Sequence, residues 1–291
     1  MSKYNSTILR LYNSALLNYQ IKTILQFYSL TIQLSIYQVQ KQFRNFTIQQ
    51  FNITMCGRSS LTKTEKELEE RFQATFYTED LERYNPLPNF NVAPTHVLPV
   101  ITNQDPKHFR PMRWGLIPFW AKDAKVGYKM INARIETVEE KTFKNALEKR
   151  RCLVPFDGFY EWKTTGKKKK PYRITIQNGK LFTIAGLWET WKSPSGEKIE
   201  SFTLITQPAN KMMSSIHDRM PAILLPEQEK LWIDQSLSTK EALQLIIPYP
   251  DEEMEAYPVS DRVGKVSEND AGLIERVTIE EDVPPPDLFS I

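Results

Sequence analysis

The chain has 291 residues, 41% of them hydrophobic, 25% charged and 11% aromatic, with ten glycines, two cysteines and three histidines. That excludes a collagen, an acidic disordered chain and a disulfide-stapled miniprotein, and it leaves too few soft ligands for a structural metal. The net charge of +3 hides a division: Lys3, Arg10, Lys22, Lys41 and Arg44 are the only charged residues among the first 54, so 33 basic residues face 35 acidic ones over 55–291, and any nucleic-acid surface must be a local groove.

In chain order, residues 1–54 are rich in Gln, Asn, Ser, Thr, Tyr, Ile and Leu and contain no Asp, Glu, Gly or Pro. Three readings compete: a basic targeting peptide, a Gln/Asn-biased disordered arm, or translated sequence upstream of the true start at Met55. The third is preferred, for the chemical reason given below. No apolar run reaches the roughly 20 residues of a membrane span, so a soluble protein is expected.

From Met55 the pattern is that of a compact mixed domain over 55–278. Thr62 with Glu65 reads as a capping box opening a helix over about 63–75, and Thr137 with Glu140 as a second one, whose helix carries Phe143, Ala146 and Leu147 on one face. Strand-like runs lie at 96–102, 152–162, 172–177, 181–188 and 202–206. Asn178-Gly179 between two of them predicts a hairpin. Further helices are expected after Pro226 and Ser238. The fold class is therefore α+β, one domain with a mixed, mostly antiparallel β core and flanking helices. Residues 279–291, with Val283-Pro284-Pro285-Pro286, read as a proline-rich flexible tail.

Chemistry starts at Met55-Cys56-Gly57-Arg58. An initiator Met before a small residue is normally removed, which would give Cys56 a free α-amine beside its thiol. Such a 1,2-aminothiol condenses with an aldehyde to an imine and closes to a thiazolidine. The α-amine, with an ordinary pKa of about 7.7–8.0, needs less activation than a lysine. The plainer reading of any lone Cys is a small buried hydrophobe, which suits Cys152 in its apolar strand.

Met55-Cys56-Gly57-Arg58, Asn91-Val92-Ala93-Pro94, Trp114-Gly115-Leu116-Ile117-Pro118, Ile131-Asn132-Ala133-Arg134, Asp157-Gly158-Phe159-Tyr160-Glu161-Trp162 and Ile216-His217-Asp218-Arg219-Met220-Pro221 stand in the order seen in the SRAP family, the SOS-response-associated peptidase-like, abasic-site processing proteins. Tyr257-Pro258-Val259-Ser260 with Asn269-Asp270 resembles that family's closing segment. The resemblance implies an SRAP-like domain with a single-stranded DNA groove, in which the cysteine after the initiator Met links covalently to the ring-opened aldehyde of an abasic site. Self-processing that exposes the cysteine is implied as well. This chain departs from the pattern in its extension: with 1–54 attached, Cys56 has an amide nitrogen and the ring cannot form.

The other candidates each carry two readings. Glu161, alternating with Tyr160 and Trp162, is either a desolvated acid/base or a strand Glu paired with a surface Lys; by resemblance it is the catalytic acid/base. His217 lies in a polar turn that suits a structural histidine, and by resemblance it protonates the sugar oxygen and assists reversal. Asn132 and Arg134 share a face of an extended segment. There Asn132 can hold the amine or a sugar hydroxyl, and Arg134 with Arg58 can clamp phosphates. Pro94, Trp114, Pro118, Phe119 and Trp120 form an aromatic and proline cluster, either core or a base-stacking wedge, with Pro94 and one indole, Trp114 or Trp120, beside the lesion. His96 and His108 are read as structural or surface residues. Lys167-Lys168-Lys169-Lys170 is a basic loop that is either solvated or set against a phosphate backbone, and Asp287-Leu288-Phe289 faintly resembles a replication-clamp docking peptide.

The expected partner is single-stranded DNA with abasic sites, bound by a monomer that needs no cofactor or metal. Two other functions stay open: a cysteine peptidase in which His217 activates Cys56, and a non-catalytic single-strand-binding module.

Overall fold

The computed structural model describes residues 57–166 and 168–278; residues 1–56, Lys167 and 279–291, including Cys56, the extension and the clamp-like tail, lie outside the described residues. Two sheets share one apolar core. The smaller has the strand order β14 (Met254–Pro258), β9 (Lys168–Ile176), β8 (Gly158–Thr165), β1 (Ser59–Leu61), β3 (Asn89–Val92). The larger runs β12 (Arg219–Pro221), β11 (Lys198–Pro208), β10 (Phe182–Lys192), β7 (Arg151–Phe156), β4 (Val97–Thr102), β5 (Asp105–Trp114), β2 (Thr75–Phe76), with β13 (Ile223–Leu224) on β10 and β6 (Asn132–Arg134) on β11. Pairing is mostly antiparallel, as expected. A parallel contact of β5 with β11, through Arg113↔Ser201 and Trp114↔Phe202, closes β11, β10, β7, β4 and β5 into a ring. Trp114, Phe156 and Phe202 are all fully buried, with the Trp114 ring 6.2 and 6.3 Å from the other two. Among the described residues, five short α-helices flank the sheets: α1 (Glu65–Phe72), α2 (Lys144–Lys149), α3 (Lys211–Ser214), α4 (Pro226–Trp232) and α5 (Thr239–Gln244).

The helices after Pro226 and Ser238 form as expected, but four local expectations change. The cap of α1 is Thr64, whose hydroxyl accepts from the Glu67 N–H while Glu67 accepts from the Thr64 N–H at 2.8 Å. Thr62 lies two residues before this cap and donates its N–H and hydroxyl to Asp157 instead. The Thr137–Glu140 segment forms turns instead of a helix start, pinned by fully buried Val138, and α2 begins only at Lys144. The run 152–162 breaks at Asp157 into β7 and β8, which belong to different sheets.

The Asn178-Gly179 turn exists, with Gln177, Asn178 and Gly179 all at positive φ, yet it joins β9 to β10 across sheets and makes no hairpin. Both edges of each strand are already taken, β9 by β8 and β14, β10 by β7 and β11. Among the described residues, hairpins form instead at β4–β5, β8–β9 and β10–β11. Strand β5 has no clear sequence signal, because Pro106, Pro111 and three cations, Lys107, Arg110 and Arg113, interrupt its apolar pattern.

Candidate active site

Strand β1 brings the start of the described chain to Glu161. Ser60 pairs with Gly158 and Ser59 with Phe159, and the Tyr160 N–H donates to the Arg58 carbonyl at 2.9 Å. The same register sets Gly57 across from Glu161. Alternation along β8 is as read from the sequence: Phe159 packs in the main core, whereas Tyr160 and Trp162 turn to Val259, Val263 and Leu273. Glu161 is 5% exposed. Beside it, burial pushes the Tyr160 phenol above its ordinary range, and its hydroxyl donates to the Phe90 carbonyl at 2.7 Å.

Gly158 is required at this corner. A Cβ there would sit 2.8–2.9 Å from the Arg173 guanidinium and the Ser60 hydroxyl, both of which bind Asp157. Asp157 thus fastens β1 to the turn that launches Glu161.

Arg58 is placed differently from the expected phosphate clamp. It is 6% exposed, and its guanidinium donates to Asn91 Oδ1 at 2.7 Å, to the Val263 carbonyl and to the Gly264 carbonyl at 3.0 Å. Burial lowers its pKa to about 10. Asn91 completes the lock by donating to the carbonyls of Lys265 and Glu268. The segment after β14 is therefore tied to the residue following Gly57, and the three acceptors occupy the guanidinium edge a phosphate would use.

A second group gathers on β11. Strand β6 lies parallel to it, Asn132 against Leu204 and Arg134 against Thr206, with Ala133 turned into the core so that Asn132 and Arg134 share the other face, as the spacing predicted. Arg134 is exposed. Strand β12 flanks the same part of β11, where Arg219 donates to the Thr206 carbonyl at 2.9 Å and forms a two-pronged pair with Glu136. The Arg219 guanidinium holds the Glu136 carboxyl below its ordinary value. This pair joins the Asn132–Arg134 segment to the His217 turn. His217 Nδ1 accepts from the Arg219 N–H at 3.1 Å and lies 2.9 Å from Asp218 Oδ1. One nitrogen cannot accept and donate at once, so the first contact belongs to a ring with bare Nδ1 and the second to a ring that carries its proton on Nδ1.

Trp114 is not a wedge. It is fully buried, and its indole N–H donates to the Ile131 carbonyl at 3.0 Å, so it positions the Asn132 segment from inside. Exposure falls instead on its neighbours Phe119 at 60% and Trp120 at 58%. Their loop is held at Ala121, whose carbonyl accepts from the Trp191 indole at 2.7 Å. Pro94 is half-buried in a tight turn whose next residue, Thr95, has φ +79° and donates to the Trp114 carbonyl at 2.8 Å. A β-branched residue there is strained, which marks the turn as held in place by its surroundings.

In that turn His96 accepts from the Ala93 N–H. Burial, reinforced by the Arg58 cation, holds its imidazole below the usual 6.5. A depressed folded value contributes stability that is complete above 6.5 and lost as pH falls through the folded value. His96→Gln is expected to flatten that part of a melting-temperature profile against pH. An unchanged slope would show that His96 does not titrate with folding.

The SOS response associated peptidase (SRAP) family model matches residues 55–266. Among similar proteins, the abasic site processing protein YoqW of Bacillus subtilis (strain 168) is 43% identical over 225 residues, covering 76% of this chain and 99% of its own. YedK of Escherichia coli (strain K12), also named an abasic site processing protein, is 33% identical, covering 77% and 100%. HMCES of Xenopus tropicalis, named likewise, is 34% identical, covering 74% and 76%. A solved structure from Bacteroides thetaiotaomicron superposes with TM-score 0.72 at 30% identity, over 77% of this chain and all of that one. The six ordered motifs, the two-sheet fold and these matches agree: this chain belongs to the SRAP family.

Proposed function

We propose that this protein processes abasic sites in single-stranded DNA by capturing them covalently through Cys56, once that residue is the N-terminus. The observation that carries the reading is the β1–β8 register, which sets Gly57, one peptide bond from Cys56, opposite buried Glu161. Consecutive Cα atoms lie about 3.8 Å apart, and the reading requires an α-amine on Cys56 to come within reach of that carboxyl.

The α-amine adds to the sugar aldehyde and the carbinolamine loses water to give an imine. The thiol sulfur then attacks the imine carbon, its proton passes to nitrogen, and the ring closes. One C–N and one C–S bond form and one water leaves. Glu161 takes the amine proton and returns it to the departing hydroxyl, His217 protonates the sugar oxygen on ring opening, and Asn132 orients the reacting groups. Arg134 meets phosphate, while Arg58 acts from within the fold. Phe119 and Trp120 offer stacking faces worth about 1–3 kcal/mol per base. Phe119→Ala with Trp120→Ala should weaken single-strand binding in an anisotropy titration without lowering the unfolding midpoint, since both rings are already exposed.

Intact mass tests the reading, measured on protein expressed from its own reading frame, before and after incubation with a single-stranded oligonucleotide bearing one abasic site. A chain beginning at Cys56 that gains the oligonucleotide mass less one water, without borohydride, is expected. A chain that keeps 1–54 and forms no adduct would overturn it.

A further inference from the structure

Beyond Glu161 the β8–β9 hairpin runs outward, and its register sorts the side chains. Glu161 is opposite Tyr172, Lys163 opposite Lys170, and Thr165 opposite Lys168. With a side-chain period of two, these six share one face, while Trp162, Thr164, Lys169 and Pro171 share the other. The face that carries the buried carboxyl therefore continues as an aromatic ring and then three lysines. Residues two apart on a strand are about 7 Å apart, a repeat comparable to one nucleotide of extended single strand.

The body of the protein is slightly acidic, so three lysines gathered on one strand face are a local departure from its charge balance. Lys170 reaches Asp261 at 3.2 Å, a contact with a largely exposed carboxylate that is worth little. Lys163 sits 6.0 Å over the Tyr172 ring. Setting Lys163 directly across from Lys170 costs stability, because like charges opposed across a ladder repel. An anion between them would remove that cost.

Resting on the reading of Glu161 as part of an abasic-site centre, we infer that the Lys163–Lys170–Lys168 face is a phosphate track, which holds the DNA strand flanking the lesion as it leaves the reacting sugar. It contacts backbone and carries no base specificity. The arm thus adds affinity and register, while the chemistry stays with the residues at its base.

The test is the full chain carrying Lys163→Gln, Lys168→Gln and Lys170→Gln, against a control carrying Lys66→Gln, Lys230→Gln and Lys240→Gln on the flanking helices. Binding of an undamaged single-stranded oligonucleotide is followed by anisotropy across a salt series. Each phosphate contact contributes about 0.7 to the slope of log K against log salt, so the arm variant should be shallower by about 2 and on the order of tenfold weaker at low salt. The control should match the parent. The arm variant should also unfold no earlier than the parent without DNA, since a repulsive pair is gone. An arm variant with the parent's slope, or a control that loses as much, overturns the track. A parent that binds single strands while the arm variant is unchanged sinks the track alone; a parent with no affinity for single strands sinks both it and the proposed function.

Discussion

Cys56→Ser in the chain that begins at this residue should lose the stable adduct and keep only one that borohydride must trap. The α-amine survives the change and still condenses to an imine. What disappears is the sulfur nucleophile that closes the ring, and a serine hydroxyl is a far weaker one. Denaturing gels with and without borohydride separate the outcomes. An adduct that stays hydrolysis-resistant in Cys56→Ser would show that the thiol takes no part. Because only the neutral amine attacks, the parent reaction should quicken as pH rises towards 8 and level off above the amine's pKa of about 7.7–8.0. Glu161→Gln should keep the ring chemistry but slow its formation by about 10²–10⁴-fold, the usual range for a positioned acid/base. DNA affinity should hold, since Gln preserves the side chain's size.

The strand geometry beneath the proposed site was legible in the sequence. The i, i+2 spacing of Asn132 and Arg134 and the alternation around Glu161 follow from a pleated backbone, and the structure has both. What the sequence hides is which aromatic or cation is inside. Trp114 and Trp120 look alike as indoles in one cluster, yet one closes a ring of strands and the other is 58% exposed. That difference comes from the parallel pairing of β5 with β11, a contact 88 positions apart that no local pattern signals.

Arg58 shows the same limit. Beside Gly57 it reads as a phosphate ligand, but its acceptors, Val263 and Gly264, are about 205 positions away. The Asn178-Gly179 turn shows the converse limit: local chemistry fixed the turn and could not say that its strands belong to different sheets. Thr62, finally, has the residue type of a helix cap, but its N–H and hydroxyl are turned to distant Asp157 and Thr64 caps the helix.

Asp157→Ala is expected to give the largest loss of stability of any single change at the site. Asp157 is 1% exposed and answers four donors from three residues: the Ser60 hydroxyl at 2.7 Å, the Thr62 N–H at 2.9 Å, the Thr62 hydroxyl, and Arg173 at 3.3 Å. Arg173 is itself buried, with its other edge on the Tyr257 hydroxyl at 2.8 Å, and the Asp157 charge is what offsets the cost of burying that cation. Removing one member of a buried pair typically costs about 3–5 kcal/mol, because the remaining charge stays desolvated. For a domain of this size that lowers the melting temperature by on the order of 10 °C. Asp157→Asn keeps one acceptor oxygen, for either Ser60 or Thr62, and should recover a small part of the loss, leaving the uncompensated Arg173. Replacing both residues, Asp157→Asn with Arg173→Met, should destabilise less than the two single changes summed, since neither charge is then stranded. The consequence for chemistry follows from position: this carboxylate ties β1, and so Gly57, to the corner from which Glu161 projects. At a temperature where the variant remains folded, its crosslinking rate should fall further than its DNA affinity. Equal losses in both would mean that the corner only stabilises the fold and does not set the reacting groups against each other.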